Sequence, residues 1–348
     1  MKNSAKDNLK QQVIDQQKCT QCGACVNICP YTEYYEDRII PLYHCDLQEG
    51  SCYDICPGTP TDFKALQSLM FDKQDITSEI GSVKEFCITR SSDQDIRINA
   101  QHGGTVSTLI SLALSEGVID AAVLAGEQDV LLPKQTAVTD SSRILEFAKS
   151  KFVVSPTVAE FNALASKNEV QKIGVVATPC QALALAKMRL SNDPRIQANI
   201  KKLKLVIGLF CGWTFSWEAL KKVIDEHVGL KNVLGMDIPP SKYHNLKVFT
   251  PTGETDISLD DLMPCINPAC NSCIDMTAEF SDISVGSARL KEGWETAKSW
   301  NHTLVRTIAG EKLIQTAKSH GLLEFKDVPE GNLEKLKRAA LNKKENLE

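Results

Sequence analysis

The 348-residue chain is long enough for two domains, and 43% of its residues are hydrophobic, which is ordinary for a globular protein. A net charge of −5 with interspersed signs does not favour nucleic-acid binding. No apolar run approaches the roughly 18 residues of a membrane span, and the polar segment 1–18 lacks a signal-peptide core. We therefore expect a soluble, cytoplasmic protein whose thirteen cysteines are metal ligands or buried thiols rather than disulfides.

The first cysteine motif lies close to the N-terminus. The spacing C-x2-C-x2-C-x3-C-P of a bacterial ferredoxin loop is matched by Cys19, Cys22, Cys25 and Cys29. In such a loop three thiolates bind one iron–sulfur cluster, and the fourth points to a neighbouring cluster. A zinc site would more naturally show two separated C-x2-C pairs, and a disulfide framework would not need the proline. The motif predicts iron–sulfur ligation and electron transfer.

A second loop of this kind is present but altered. Cys52 and Cys56 match the end of the motif, whereas Cys45 lies one residue earlier than the pattern places its first ligand. With the usual cross-ligation, one complete [4Fe–4S] cluster is predicted at Cys19, Cys22, Cys25 and Cys56. The second site then has three thiolates, those of Cys29, Cys45 and Cys52.

The type of the second cluster stays open at this point. The site could hold a [3Fe–4S] cluster, a [4Fe–4S] cluster with a carboxylate ligand from Glu49 or Asp46, or a cluster completed by His44. An oxygen ligand would place more charge on the site and shift its potential. We favour a filled but atypical second cluster over a degenerate, empty loop.

The remainder of the chain has the pattern of an α/β protein, with short apolar runs alternating with longer amphipathic stretches. We expect an α+β ferredoxin-like two-cluster segment at 1–60, a linker at 61–82, a larger α/β domain at 83–325 and a charged helical tail at 326–348. Strands are predicted at 121–125, 172–177 and 203–210, with helices at 105–116, 181–190 and 216–228. Cys180 and Cys211 each follow a strand, where open α/β sheets place their ligands. Cys87 is predicted to be a buried core thiol.

Several short blocks follow one another after residue 80: His102-Gly103-Gly104-Thr105-x-Ser107-Thr108-Leu109, Gly117-Val-Ile-Asp120, Ala177-Thr178-Pro179-Cys180-Gln181, Ile207-Gly-Leu-Phe-Cys211, Cys270-Asn-Ser-Cys273-Ile-Asp275, Asp282-Ile-Ser-Val-Gly286, Gly293-Trp294 and Arg306-Thr307. In this order, behind a ferredoxin-like segment, they resemble the family of coenzyme F420-reducing hydrogenase beta subunits. That family includes F420H2 dehydrogenase input subunits, beta subunits of F420-linked formate dehydrogenases and 7-hydroxymethyl chlorophyll reductase. The resemblance covers nearly the whole chain.

The resemblance implies FAD beside a further [4Fe–4S] cluster, which makes two to three clusters in all. The cluster cysteines of the family map onto Cys180, Cys211, Cys270 and Cys273. Cys265 is a competitor for the place of Cys180 or Cys211, because Cys265-x4-Cys270-x2-Cys273 reproduces the plant-type ferredoxin spacing.

Electron counting also requires a flavin, because hydride donors release two electrons together whereas iron–sulfur clusters accept one at a time. The chain has no G-x-G-x-x-G, so a Rossmann dinucleotide fold is not supported. Instead, Gly103 and Gly104 open a helix near Thr105, where free backbone amides suit the flavin pyrophosphate. The alternative is a tight turn that needs two glycines. Further candidate flavin contacts are His102, Thr108, Thr178, Gly286 and Ser287.

From these features we expect an F420-linked oxidoreductase subunit, with no catalytic side chain identified. Hydride would pass between coenzyme F420, or another redox donor, and FAD. Single electrons would pass through the clusters to a complex of the hydrogenase, formate dehydrogenase, heterodisulfide reductase or membrane dehydrogenase type, where the chain would be peripheral. The alternatives are a family member fed by ferredoxin or a partner instead of F420, an electron-transfer adaptor without flavin turnover, and a zinc-binding structural protein.

Overall fold

The structure is a computed structural model that describes residues 4–43, 45, 50–129, 131–239 and 243–345. The N-terminal segment contains α1 (Ala5–Leu9), β1 (Thr32–Tyr35), β2 (Arg38–Pro41) and α2 (Ser51–Asp54). Strands β1 and β2 pair as an antiparallel hairpin. The connection to the large domain contains α3 (Phe63–Met70), β3 (Ile76–Thr77) and β4 (Gly81–Ser82).

The large domain combines strands and helices along the rest of the chain. Its strands are β5 (Glu85–Ser91), β6 (Ala121–Asp129), β7 (Leu132–Val138), β8 (Ile173–Ala177), β9 (Leu203–Leu209), β10 (Gly235–Asp237), β11 (Asn245–Thr250), β12 (Gly253–Ser258), β13 (Ile283–Ser287), β14 (Asn301–Val305) and β15 (Leu323–Lys326). Its helices are α4 (Gln94–Asn99), α5 (Thr105–Ser115), α6 (Thr157–Ser166), α7 (Pro179–Arg189), α8 (Pro194–Ile200), α9 (Trp217–Val228), α10 (Leu259–Leu262), α11 (Trp294–Ala297), α12 (Ile308–Ser319) and α13 (Asn332–Glu345). The predicted strands and helices of this domain are present within one or two residues of their expected ends, except that β6 continues to Asp129 and α7 begins at Pro179.

An eight-stranded mixed sheet with the order β15-β5-β14-β13-β9-β8-β6-β7 forms the centre of the domain. Strands β6, β8, β9 and β13 are parallel to their neighbours in this group, and the outer strands pair antiparallel. Strands β10, β11 and β12 form a separate antiparallel sheet. The parallel centre explains why β8 is a continuous apolar run and β9 is apolar apart from the exposed Lys204, since both faces of such strands are covered.

Helices cover both faces of the main sheet because successive strand side chains point to opposite sides. On β9, Val206 belongs to the core beneath α6, α7 and α8, whereas Ile207 belongs to the core beneath α5 and α12. A third apolar core lies between α9 and the sheet of β10–β12. No helix in the described parts of the chain is both long and apolar enough to cross a membrane.

The N-terminal segment is packed firmly against α6 of the large domain. The Asn162 side-chain amide donates to the carbonyl oxygens of Ala24 (3.0 Å) and Val26 (2.8 Å), and Asn27 donates to the Ala159 carbonyl (3.0 Å). Gly23 has a φ of 83° and lies so close to Ala159 that any Cβ would overlap it. The first cysteine loop is therefore held by the large domain itself.

The C-terminal helix α13 also packs on the body of the protein. Leu336 and Ala340 are buried against Ile80 and Leu304, so the helix has a buried face as well as its charged one. Lys344 forms an ion pair with Glu279 at 2.7 Å. Lys343 donates to the carbonyl oxygens of Cys211 and Gly212, which places the last turn of α13 beside the loop that follows β9.

Candidate functional site

The carboxyl edge of the parallel strands brings two predicted cysteine positions together. Cys180 lies in the first turn of α7, directly after β8, and Cys211 lies two residues after the end of β9. Parallel neighbours end at the same sheet edge, so both residues lie there, as the sequence predicts. The α7 start is fixed by a capping box, in which Thr178 and Gln181 bond reciprocally, and by Pro179 at the first helical position.

Four cysteines of the large domain form one group, defined here as the large-domain group: Cys180, Cys211, Cys270 and Cys273. Burial raises the pKa of Cys180 well above its usual value, and neighbouring charges including those of Cys273 and Cys211 add to the rise. Burial also raises the pKa of Cys211 to about 12; Lys343 opposes this rise, and Cys270 and Cys273 add to it. The four thiols thus lie close enough for their charges to interact.

Cys265 lies elsewhere, in the apolar core between α9 and the β10–β12 sheet. It is only 4% exposed, and burial alone raises its pKa, with no contribution from another cysteine. The geometry therefore favours Cys180 and Cys211 over Cys265 as companions of Cys270 and Cys273. Cys87 is buried in the core beneath α5 and α12, where burial raises its pKa to about 12, as expected for a core thiol.

The N-terminal cysteines divide into two groups. In the first, burial raises the pKa of Cys25, and the charges of Cys22, Cys19 and Cys56 add to the rise. In the second, burial raises the pKa of Cys52 to about 11, and the charges of Cys29 and Cys45 add to it. The first ferredoxin group is Cys19, Cys22, Cys25 and Cys56, and the second ferredoxin group is Cys29, Cys45 and Cys52. The predicted cross-ligation divides the cysteines in the same way, and the ligation itself stays a prediction.

The three groups are neighbours in a fixed order. Ionisation of Cys22 would raise the pKa of Cys180 further, so the first ferredoxin group and the large-domain group are neighbours. The charge of Cys52 acts on Cys25, which connects the two ferredoxin groups. The first ferredoxin group therefore lies between the other two.

The donor sets fit iron–sulfur clusters, since two groups offer four thiols each and all these cysteines are free of disulfides. Within the described residues, no three His, Cys, Asp or Glu side chains converge on the position of a single metal ion. A cubane spreads its thiolates around several irons instead. The proposed non-cysteine ligands of the second group, His44, Asp46 and Glu49, lie outside the described residues.

The cleft between the N-terminal segment and the large domain has a volume of about 640 Å³. It is lined by residues of both parts, among them Gln12, Pro57, Leu183, Cys180 and Cys273. The large-domain group therefore borders solvent at the junction of the two parts.

The candidate flavin contacts Gly103, Gly104 and Thr105 lie at the start of α5. Gly104 has a φ of 80° and caps the helix, and the Thr105 amide donates to the Asn301 side-chain oxygen at 3.3 Å. Gly103 packs closely against the carbonyl oxygen of Thr89 and the side chain of Asn301. Both glycines are thus required by the turn, and the helix start is partly occupied by Asn301.

His102 and Ser287 lie in a cluster with aromatic and cationic side chains. The His102 ring is 5.6 Å from the Trp294 ring, and the Arg289 guanidinium lies over the same indole at 5.5 Å. Arg289 donates to the Ser287 hydroxyl at 2.7 Å. The Nδ1 atom of His102 is buried and has no hydrogen-bond partner in the described part of the chain. A buried nitrogen without a partner is available for a hydrogen bond to a bound polar group.

The other candidate flavin contacts have partners inside the protein. The Thr105 hydroxyl bonds that of Thr89 at 2.9 Å, and the Thr108 hydroxyl donates to the Gly104 carbonyl at 3.1 Å. The Thr178 hydroxyl lies 3.2 Å from the Cys180 sulfur, beside the large-domain group. Any Cβ on Gly286 would overlap the Phe210 ring.

Two lysines near the cysteine groups were not identified from the sequence. Lys187 lies within hydrogen-bond distance of the Cys56 carbonyl oxygen, and Lys343 donates to the Cys211 carbonyl oxygen. One sequence signal could have identified Lys187: it interrupts the otherwise apolar run Ala-Leu-Ala-Lys-Met of α7. A lysine in such a run indicates a buried amine with hydrogen-bond partners. No sequence signal distinguishes Lys343 from the other lysines of α13.

Three family models match the chain. They are a 4Fe-4S binding domain at residues 10–31, the N-terminal region of the coenzyme F420 hydrogenase/dehydrogenase beta subunit at 87–161, and its C-terminal region at 170–331. The chain is also 31% identical, over 277 residues, to the coenzyme F420 hydrogenase subunit beta of Methanothermobacter thermautotrophicus, a match that covers 77% of this chain and 94% of the relative. The chain belongs to the family of coenzyme F420 hydrogenase/dehydrogenase beta subunits. It is an oxidoreductase subunit with a 4Fe–4S binding domain.

Two further relatives extend the comparison. An F420H2 dehydrogenase subunit of Methanosarcina mazei is 27% identical over 335 residues, which covers 93% of this chain and 88% of the relative. A chain of the F420-reducing [NiFe] hydrogenase complex from Methanosarcina barkeri has a similar structure, with a TM-score of 0.71 and 26% identity over 78% of this chain and 92% of that one. The resemblance seen in the short motifs is thus confirmed.

Proposed function

We propose that the chain exchanges hydride with coenzyme F420 through bound FAD and passes single electrons along its three cysteine groups to a partner. The observation that carries the proposal is the order of those groups, from the carboxyl edge of the main sheet to the N-terminal segment. Cys180 adjoins Cys22, and Cys25 adjoins Cys52, so each group has a neighbour to which an electron can pass.

The large-domain group would hold a [4Fe–4S] cluster, and so would the first ferredoxin group. The second ferredoxin group would hold a cluster of atypical ligation. Buried thiols with raised pKa values bind iron only after deprotonation, so cluster assembly must release protons. The backbone supports this ligation: the Thr214 amide lies 3.4 Å from the Cys270 sulfur and donates to it.

The flavin would lie beside the cluster formed by His102, Trp294, Arg289 and Ser287. Bound FAD would supply the conversion between a two-electron hydride and single electrons. Burial lowers the pKa of His102, and the charge of Arg289 lowers it too, although Asp237 opposes them. A neutral His102 can then donate or accept through its unpartnered Nδ1, and the Arg289 guanidinium can pair with phosphate or with the flavin's polar edge.

The identity of the hydride carrier rests on the names of the relatives, which are an F420 hydrogenase subunit and an F420H2 dehydrogenase subunit. These relatives are subunits, so we propose that this chain also acts within a larger oxidoreductase complex. Hydride transfer requires close, stacked positioning of donor and acceptor. The proposal therefore assigns binding and orientation to the chain's side chains and no general base.

The test is to mix the anaerobically purified protein with reduced F420, and separately with NADH, and to follow the flavin absorbance. We expect bound flavin that is bleached by reduced F420 and not by NADH. Protein that contains iron but no flavin would contradict the proposal and indicate an electron-transfer adaptor. A bound flavin that ignores both donors would contradict the F420 assignment and indicate a protein that receives its electrons from single-electron carriers.

A further inference from the structure

Lys187 is a buried cation at the end of the second ferredoxin-like loop. The residue is 6% exposed, and its Nζ lies 2.7 Å from the Cys56 carbonyl oxygen and 3.1 Å from that of Pro60. The Thr59 carbonyl and hydroxyl oxygens lie 3.3 and 2.8 Å from the same Nζ. The Lys187 amine thus binds four oxygen atoms of the segment 56–60.

A buried charge is costly unless opposite charge lies near it. Burial lowers the pKa of Lys187, whereas the negative charges of Cys56, Asp54 and Cys22 act in the opposite direction. Two of these three groups are cysteines of the first ferredoxin group. The protein therefore places this buried cation where thiolate charge would accumulate.

Helix α7 connects this lysine to the next cysteine group. Cys180 lies in the first turn of α7, and Lys187 lies seven residues later, about 10 Å along the helix axis. The same rigid helix therefore carries a thiol of the large-domain group and the cation beside the first ferredoxin group. Helix α7 therefore sets the distance between the large-domain group and the first ferredoxin group.

Lys343, which is half-buried, makes similar hydrogen bonds at the large-domain group. Its Nζ donates to the carbonyl oxygens of Cys211 (3.1 Å), Gly212 (2.8 Å) and Asp275 (3.1 Å). Its charge also opposes the raised pKa values of Cys211 and Cys273. The lysine on α13 thus joins two of the cysteine-bearing loops.

We propose that Lys187 and Lys343 are positioning residues that each hold one cysteine-bearing loop and raise the reduction potential of the cluster bound there. Lys187 acts on the first ferredoxin group and Lys343 on the large-domain group, and the inference rests on the proposed function. A fixed positive charge stabilises the reduced cluster, which is the more negative form. The two potentials are therefore set separately by two side chains.

The experiment is a redox titration of the purified full-length protein, with the clusters followed by electron paramagnetic resonance. The variants are Lys187→Met and Lys343→Met, and the control is Lys202→Met. Lys202 also donates to two carbonyl oxygens, those of Ala165 and Lys167, both at 2.7 Å, but these belong to no cysteine loop. The variants Cys22→Ser and Cys180→Ser assign the two signals.

We expect Lys187→Met to make the first ferredoxin cluster harder to reduce, with the reduced-to-oxidised ratio at a fixed potential falling about tenfold, and to leave the large-domain cluster unchanged. Lys343→Met should make the large-domain cluster harder to reduce and leave the first ferredoxin cluster unchanged. Lys202→Met should change neither potential. If a methionine variant loses its cluster, the corresponding arginine variant keeps the charge and should keep both the cluster and the wild-type potential.

Unchanged potentials in both methionine variants, with iron content intact, would overturn the inference but leave the proposed function standing. An equal shift in Lys202→Met would overturn it as well, since the effect would not be local. An arginine variant that retains its cluster but has the potential of an uncharged site would also contradict it. A wild-type protein without iron would instead contradict the proposed function, on which the inference depends.

Discussion

His302 is a buried histidine whose protonation opposes folding. It is 3% exposed on β14, and its Nε2 atom accepts the Arg289 backbone N–H at 3.2 Å. Burial lowers its pKa to about 4, and the charge of Arg289 contributes. Because the unfolded chain binds this proton more readily, the stabilisation is complete above about pH 6.5 and is lost as the pH falls towards 4.

We expect His302→Gln, which keeps an acceptor but does not titrate, to remove this pH dependence. Between pH 7 and pH 4 the variant should lose about 3 kcal/mol less unfolding free energy than the wild type. Denaturant unfolding at both pH values measures the difference. Parallel losses in the two proteins would show that His302 is not the group that titrates.

Gly286 is required by the close approach of Phe210, which adjoins Cys211. We expect Gly286→Ala to destabilise the protein by about 1–3 kcal/mol, because the new methyl group would displace the Phe210 ring. The bound iron should also decrease, since Cys211 would move. Unfolding curves and iron analysis measure both effects.

Gly212→Ala is the matched control, since nothing lies within 4 Å of the position of its Cβ. Its stability should stay within about 0.5 kcal/mol of the wild type. If Gly286→Ala behaved like Gly212→Ala, Gly286 would have no packing role, and its predicted contact with the flavin would be the better explanation of the motif.

At the scale of elements, Arg306 joins three parts of the fold. The guanidinium is fully buried and donates to Ser284 of β13 (2.6 Å), to the Ile80 and Ser82 carbonyl oxygens (2.6 and 2.7 Å) and to the carbonyl oxygen of Thr277 (3.0 Å). The residues 80–82 belong to the connecting segment, and Thr277 follows the large-domain group. The segment predicted as a linker is thus tied into the sheet.

We expect Arg306→Met to destabilise the protein by about 3 kcal/mol or more, because it leaves buried acceptors unpaired and removes the cation that faces Asp275 and Glu279. Arg143→Met, which removes an exposed ion pair with Glu146, should have a much smaller effect. Thermal unfolding of the two variants compares them. Equal midpoints would contradict the role given to Arg306.

The sequence predicted the elements that depend on local pattern. The apolar runs of β8 and β9 and the cysteines after them follow from strand length and chain order, and the division of the ferredoxin cysteines follows from motif spacing. The sequence did not reveal what holds these parts together. Asn162 fixes the first loop from 136 or more residues away, and only the folded chain brings them together.

The packing of the C-terminal helix could not be predicted from the sequence either. Its charged residues predict a helix with an exposed face, and α13 has one. Leu336 and Ala340 follow helical spacing, but nothing local indicates that they cover Ile80 and Leu304. Likewise, the glycine pair Gly103-Gly104 predicts the glycine-opened helix, but not the hydrogen bond from its first amide to Asn301. The buried face of α13 and the Asn301 hydrogen bond both depend on residues that are far apart in the sequence.

At the scale of the whole molecule, the first ferredoxin group is a neighbour of both the large-domain group and the second ferredoxin group. We propose that the second ferredoxin group, the last in this order, is the site of exchange with the partner. We expect Cys52→Ser to leave flavin reduction by the hydride donor unchanged and to slow reduction of an external one-electron acceptor several-fold. Stopped-flow absorbance measures both steps. An acceptor rate equal to that of the wild type, or a loss of flavin reduction, would contradict this order.

The most direct test of the proposed electron path is an inventory of clusters by iron analysis and electron paramagnetic resonance in the reduced wild type and in Cys22→Ser, Cys180→Ser and Cys265→Ser. We predict that Cys22→Ser and Cys180→Ser each lose a different [4Fe–4S] signal, and that Cys265→Ser keeps all of them. Unchanged iron and spectra in the first two variants, or the loss of a signal in Cys265→Ser, would contradict the assignment of the cysteine groups.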